Sequence, residues 1–320
     1  MSKVKMVLYY SGDFMFSKEI SSEFIRTFSS QVEFYEMTDE DDIEAVKDAD
    51  IFVGWPSDDM IRKMERLKWL QLPSAGANHF FDHPLVNSDV IVTNSSGVFG
   101  VSGAEHALAL MLALSRQLHI HRDQQKKRIW KRNPDPIGIQ DSTVAIIGLG
   151  NIGSETAKRV KALGAKVLGV KRNATLKPPY VDELYGVDQV EDVITKSDFI
   201  VNALPLTSET KHFFTKEMIA KSKKGAFFIN VGRGETVDEE ALINHLKSGH
   251  LGGAGLDVTS VEPLPEDNEL WDMPNVFITS HSVGVAPRKQ ENRVRLYQQN
   301  LTLFLNDDQL INVVDRKIGY

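Results

Sequence analysis

Gly148, Gly150 and Gly153 form G-x-G-x-x-G within VAIIGLGNIGSETAKRVKALGA, residues 144–165. Each spacing has a physical use. The first glycine permits a tight strand-to-helix turn. The second lets backbone approach a pyrophosphate, and the third lets helix and strand pack closely. The helix that follows opens with Asn151 and Ile152; its first N–H groups and positive dipole end would complete a phosphate site. Such a turn is usually followed, roughly 20 residues on, by an acid that accepts hydrogen bonds from the adenosine ribose. Here that place carries Lys171, Arg172 and Asn173. Two cations favour a 2′-phosphate through charge-assisted hydrogen bonds, whereas a carboxylate would repel it. The expected cofactor is therefore NADP by preference, with NAD possible; the bland alternative is a pair of solvated charges at a strand end.

Fewer signals point elsewhere. Ser74, Ala75 and Gly76 form a small-residue turn after WLQL, and their N–H groups could make an anion nest or simply a tight turn. His119 and His121 are two apart on an expected helix and do not share a face, so no metal site is expected. The chain has no cysteine, which excludes disulfides, thiolate catalysis and Cys-ligated metals. A net charge of −7 argues against nucleic acid as a partner, and the basic run QKKRIWKR (125–132) reads as a solvated helix end. The N-terminus lacks the apolar core of a signal peptide, and the longest apolar run, ALALMLAL (107–114), is too short to span a bilayer. No membrane association is expected, and the cytoplasm is the expected location.

The elements that must position these residues can be read from periodicity. KMVLYY, VEFYEM, DIFVGW, LKWLQL and VIVTN alternate with the helical patterns SKEISSEFIRTF and DDMIRKMERL. A long helical pattern runs from Val101 to Trp130, its first half apolar almost all round, and KRNPDPIG (131–138) reads as a linker. A second series of strands follows: TVAIIG, KVLGVK, DFIVNAL, AFFINV, AGLDV and NVFITS. Helices are expected at 151–163, 188–196, 215–221 and 238–248, with a closing helix in VAPRKQENRVRLYQQNLTLFLN. Alternation of this kind gives an α/β protein of two Rossmann-like or flavodoxin-like lobes with parallel sheets. Ligands of such sheets lie beyond the carboxyl ends of the strands.

Together with the glycine turn, NALPLTSET (202–210), NVGRGETVDEEAL (230–242) and GLDVTSVEPLPEDNELWDMPNVFITSHSVG (255–284) resemble the D-isomer-specific 2-hydroxyacid dehydrogenase family, in particular its NADP-preferring glyoxylate/hydroxypyruvate reductases. LPSAGANHF (72–80) extends the likeness to the first lobe. The resemblance implies a dinucleotide-binding domain, 99–285, inserted into a substrate domain, 1–98 and 286–320. It places the family's catalytic Arg, Glu and His on Arg233, Glu262 and His281. The chemistry suits these residue types. A guanidinium can hold a 2-oxo acid's carboxylate and polarise its ketone. An imidazole can give a proton to the ketone oxygen as hydride arrives, and a carboxylate partner favours the imidazolium. Singly, each has a bland reading: a loop cation, a solvated acid, a structural histidine. All three at the ends of successive expected strands, on the side of the phosphate turn, argue otherwise.

By the same resemblance the cofactor would be lined by Ala203, Leu204, Pro205 and Thr210, by Val231 and Gly232, and by Gly284. Asp257 would face the nicotinamide carboxamide or merely cap its strand. The implied activity is reversible reduction of a small 2-oxo acid to a D-2-hydroxy acid by a homodimer, paired through the apolar helix after Val101; burial of that helix within the monomer is the competing account. Phosphoglycerate dehydrogenase activity, formate oxidation and a dinucleotide-sensing corepressor without turnover are the alternatives.

Overall fold

A computed structural model describes residues 3–39, 41, 43–77, 80, 83, 89–133 and 136–315. Asn78 and His79 of LPSAGANHF, and Pro134 and Asp135 of the expected linker, lie outside the described residues. The chain divides into two compact units, one of residues 1–98 and 287–320, the other of 99–286. The second is thus inserted into the first.

The first unit carries β1 (Val4–Tyr9), α1 (Lys18–Phe28), β2 (Val32–Met37), β3 (Ile51–Val53), α2 (Asp58–Lys63), β4 (Trp69–Gln71) and β5 (Ile91–Thr93). Its sheet is parallel throughout, in the order β2-β1-β3-β4-β5. Val7, Phe52, Leu70, Leu72 and Val92 form one of its cores. Ser17 and Ser57 cap α1 and α2 by accepting from Ile20 N and Met60 N.

In the second unit, α3 (Gly100–Ser115) and α4 (Leu118–Lys126) precede β6 (Thr143–Ile147), α5 (Asn151–Ala162), β7 (Lys166–Val170), β8 (Glu183–Tyr185), α6 (Val190–Ile194) and β9 (Phe199–Asn202). There follow α7 (Lys216–Ala220), β10 (Phe227–Asn230), α8 (Glu239–Lys247), β11 (Gly253–Leu256) and β12 (Val276–Ile278). All seven strands are parallel, in the order β12-β11-β10-β9-β6-β7-β8. Both faces are covered, which is why these strands read as continuous apolar runs. In β6, Ala145 and Ile147 enter one core with Leu168, Ile200 and Phe228, while Val144 and Ile146 enter another with Val167, Val201 and Ile229.

The chain then returns to the first unit through α9 (Lys289–Leu305). Tyr297 is fully buried and its hydroxyl lies 3.2 Å from Ser95 Oγ; Asn300 Nδ2 donates to Gln71 Oε1 at 3.3 Å. These polar contacts tie the C-terminal helix to the N-terminal sheet.

Two helical expectations need correction. The pattern from Val101 to Trp130 is two helices, because Gln117 adopts φ 55° and breaks the ladder. The closing helix starts only at Lys289, after Arg288 at φ 60°. No described helix is long and apolar enough to cross a membrane.

Candidate active site

Because every strand of the second unit runs the same way, residues following β6, β7, β9, β10, β11 and β12 gather at one edge of the sheet. That edge holds the glycine turn, Lys171, Arg172 and Asn173, the 203–210 loop, Arg233, Asp257 with Glu262, and His281, each in turn.

The turn has the geometry its glycines require. Gly148 sits at φ +96°, and a Cβ there would lie 2.9 Å from Ala203 O. A Cβ on Gly153 would meet Gly148 O at 2.0 Å, so the helix can approach the strand only without it. Gly150 differs: a Cβ on it would meet nothing within 4 Å. Packing does not demand a glycine there, whereas a ligand pressed against backbone would. Gly150 caps α5 without a side-chain hydrogen bond, leaving that helix N-terminus suited to an anion. The Asn151 backbone and Ile152 side chain approach Gly100 and Gly103 of α3, so the contribution of these two residues to a cofactor would come from the helix N-terminus. The site therefore fits a dinucleotide pyrophosphate.

At the end of β7, Lys171, Arg172 and Asn173 are all exposed. Lys171 and Asn173 line a surface concavity with Thr175, Lys177 and Tyr180. Arg172 reaches Glu209 Oε2 at 2.6 Å, a partner 37 residues on. Glu209 belongs to a compact loop in which Thr210 Oγ1 donates to Pro205 O at 2.6 Å and accepts from Thr207 N at 2.8 Å. Ala203 N donates to Ile147 O, which seats this loop beside the glycine turn.

Two buried asparagines, absent from the expectations above, organise the next two loops. Asn202 Nδ2 donates to Asn230 Oδ1 at 3.0 Å and to Thr236 Oγ1 at 2.7 Å, while Asn202 Oδ1 accepts from Leu204 N. Asn230 Oδ1 accepts from Gly232 N, and Asn230 Nδ2 and Thr236 Oγ1 both donate to Arg233 O. A satisfied buried network of this kind is rigid. Val231 is buried beside it, its N–H donating to Asn202 O. Polar residues ending FIVN and FFIN were the available signal.

Arg233 is partly buried and donates from Nη1 to Gly232 O at 2.8 Å. Burial pushes its guanidinium below the usual range, while Glu262 and Glu235 act the other way; a guanidinium still remains charged at any physiological pH. Glu262 Oε1 accepts from Thr259 N at 3.1 Å, and Oε2 lies 2.6 Å from His281 Nδ1. An ionised carboxylate only accepts, so the proton of that bond is assigned to Nδ1. Among the described residues Nε2 of His281 has no partner, and it can exchange a proton with a ligand.

Asp257 is 2% exposed and turned inward. Its Oδ1 accepts from Thr279 Oγ1 at 2.6 Å and Ser282 N at 2.8 Å, and lies 3.2 Å from His106 Nε2; Oδ2 accepts from Val283 N at 3.1 Å. Burial alone would raise its pKa, but the hydrogen bonds from His106, Thr279, Ser282 and Val283 outweigh it and hold the carboxyl below the usual range. His106, on α3, is a further residue that the sequence does not single out; only its distance along the chain hides it. Gly284 has open space about it. His119 packs edge-on against Phe277, and His121 is exposed.

In the first unit, Ser74, Ala75 and Gly76 lie just past the carboxyl end of β4. Ser74 Oγ donates to Gly76 O at 2.7 Å, and Ser74 O accepts from Ser95 N. Among the described residues the N–H groups of Ala75 and Gly76 have no acceptor. Behind this turn is Arg293, 1% exposed, which donates from Nε to Pro73 O at 3.1 Å.

A family model described as "D-isomer specific 2-hydroxyacid dehydrogenase, NAD binding domain" matches residues 108–283. The chain belongs to that family. A glyoxylate/hydroxypyruvate reductase B of Escherichia fergusonii is 32% identical over 268 residues, 82% of this chain and 82% of the relative. A D-3-phosphoglycerate dehydrogenase of Methanocaldococcus jannaschii is 32% identical over 287 residues, but the match covers 87% of this chain and only 54% of that protein. The crystal structure of an NADPH-dependent glyoxylate/hydroxypyruvate reductase from Sinorhizobium meliloti, in complex with NADP and sulfate, superposes with a TM-score of 0.83 at 28% identity, over 99% of this chain and 100% of that one. This dehydrogenase is accordingly an oxidoreductase that uses a nicotinamide dinucleotide.

Proposed function

We propose that this dehydrogenase reduces small 2-oxo acids to D-2-hydroxy acids, with NADPH preferred over NADH. The observation that carries the reading is the 2.6 Å bond between His281 Nδ1 and Glu262 Oε2, at the strand edge that also presents Arg233. When bound, the nicotinamide supplies the hydride. Arg233 pairs with the substrate carboxylate and polarises the ketone oxygen. His281 delivers the proton to that oxygen from Nε2, and Glu262 fixes the ring through Nδ1. In the reverse direction neutral His281 takes the alcohol proton. Gly148, Gly150 and Gly153 hold the pyrophosphate, and Lys171, Arg172 and Asn173 face the 2′-phosphate. The loop of Ala203, Leu204, Pro205 and Thr210, with Val231, Gly232 and Gly284, lines the rest of the dinucleotide. Asp257 serves the nicotinamide end by holding residues 279–283 in place. Ser74, Ala75 and Gly76 provide N–H groups for the substrate carboxylate. The domain of residues 99–286 is the dinucleotide-binding one, and the active species is a homodimer.

The test is a survey of NADPH and NADH oxidation with glyoxylate, hydroxypyruvate, 3-phosphohydroxypyruvate, and branched and aromatic 2-oxo acids, with chiral analysis of products. Turnover is expected with at least one acid, faster with NADPH, and lowered roughly 10²- to 10⁴-fold in His281→Ala. No turnover with any acid would leave a dinucleotide-binding sensor instead.

A further inference from the structure

The ion pair between Arg172 and Glu209 occupies a particular place in the topology. In the sheet, β6 lies between β9 and β7. Arg172 follows β7, Glu209 lies in the loop after β9, and the glycine turn follows β6. Since the three strands are parallel, the 2.6 Å contact joins the two loops that flank the phosphate turn. Lys171 N donates to Tyr185 O at 3.1 Å, and Thr210 closes the opposite loop, so backbone on both sides is fixed while the two side chains remain 44% and 66% exposed.

We propose that Glu209 is a specificity-determining residue: it competes with a 2′-phosphate for the Arg172 guanidinium and so moderates the preference for NADP over NAD. This rests on the reading of Lys171 and Arg172 as the 2′-phosphate site. An exposed ion pair is weak, so a phosphate can displace it. Doing so takes Arg172 from Glu209 and leaves that carboxylate near a phosphate of the same sign. A cofactor with a free 2′-hydroxyl needs no such exchange, and a carboxylate is the group that accepts from a ribose hydroxyl. The acid missing from the end of β7 is thus supplied by the neighbouring loop, with the opposite consequence for each cofactor.

The test is equilibrium binding to the intact protein. 2′,5′-ADP and ADP are titrated by calorimetry, and NADPH and NADH by fluorescence, against wild type, Glu209→Gln, Arg172→Ala, Lys171→Ala and the Glu209→Gln, Arg172→Ala double variant. Glu209→Gln should tighten 2′,5′-ADP and NADPH by about 3- to 10-fold and leave ADP and NADH unchanged or weaker. The gain should vanish when Arg172 is already Ala, and shrink at high ionic strength. An unchanged or weakened affinity for 2′,5′-ADP in Glu209→Gln, with Arg172→Ala still weakening it, overturns the role of Glu209 alone. If Arg172→Ala and Lys171→Ala also leave 2′,5′-ADP binding untouched, the 2′-phosphate site itself is refuted.

Discussion

His281 occupies a backbone conformation that its residue type disfavours, with φ 48°; for a residue other than glycine this costs roughly 1–2 kcal/mol. Asp257 offsets it. The His281 N–H donates to Asp257 O at 2.8 Å, and the Asp257 carboxylate takes the next two N–H groups, of Ser282 and Val283. The inward carboxylate therefore shapes the loop that presents the imidazole. Its folded pKa lies below the ordinary one, so its stabilisation is present above the unfolded value of about 4 and is lost as pH falls through the lowered folded value. Asp257→Asn should cost about 1–3 kcal/mol at neutral pH, since an amide nitrogen cannot accept the Val283 N–H. Melting temperatures of both proteins across pH 3 to 7 check this: the difference should narrow below about pH 4. A constant difference would show that the charge of Asp257 is irrelevant to the fold.

At the scale of elements, the β10 and β11 loops touch so closely that one has no room for a side chain. A Cβ on Gly234 would lie 1.9 Å from Thr259 O. Gly234→Ala must separate Arg233 from the loop carrying Glu262. A displacement near 1 Å is enough to lower kcat/KM about 10²-fold, and because the clash is with backbone the melting temperature should fall as well. Steady-state kinetics beside a thermal melt would decide it, and unaltered kcat/KM would mean that Arg233 needs no such register. The sequence makes the strands legible because both faces of the sheet are covered, which turns β6, β9 and β10 into plain apolar runs. It hides β8, whose Glu183–Tyr185 is short and carries an acid. It hides the break at Gln117 because a single left-handed residue leaves no periodic trace. The glycine spacing shows where a phosphate would sit, since each position is local. The Asn202–Asn230–Thr236 network, the His106 contact and the Arg172–Glu209 pair join residues 28 to 151 positions apart, and local pattern carries no register between distant strands.

At the scale of the whole molecule, the second unit carries several exposed apolar side chains. The buried side of α3, with Ala107, Leu110, Met111 and Leu114, packs into its own unit, while Val101 and Leu112 on the same helix stay exposed. Leu118 and Ile129 continue that exposure, and Trp130 is fully solvent-accessible. A tryptophan can bury roughly 200 Å², worth about 5 kcal/mol at 25 cal/mol per Å², and a two-fold interface would use it twice. That is enough to offset much of the cost of association, which makes Trp130 the expected anchor of the proposed homodimer. Sedimentation should give a dimer for the wild type and a dissociation constant raised about 100-fold or more in Trp130→Ser, with no loss of monomer folding because among the described residues nothing rests on the ring. A wild-type monomer would refute the dimer; a dimer equally tight in both would place its interface away from Trp130. Turnover should fall on dissociation as well. α3 carries His106, whose Nε2 lies 2.8 Å from Thr279 Oγ1 and 3.2 Å from Asp257 Oδ1, so a helix freed of its twin loosens the loop that holds His281.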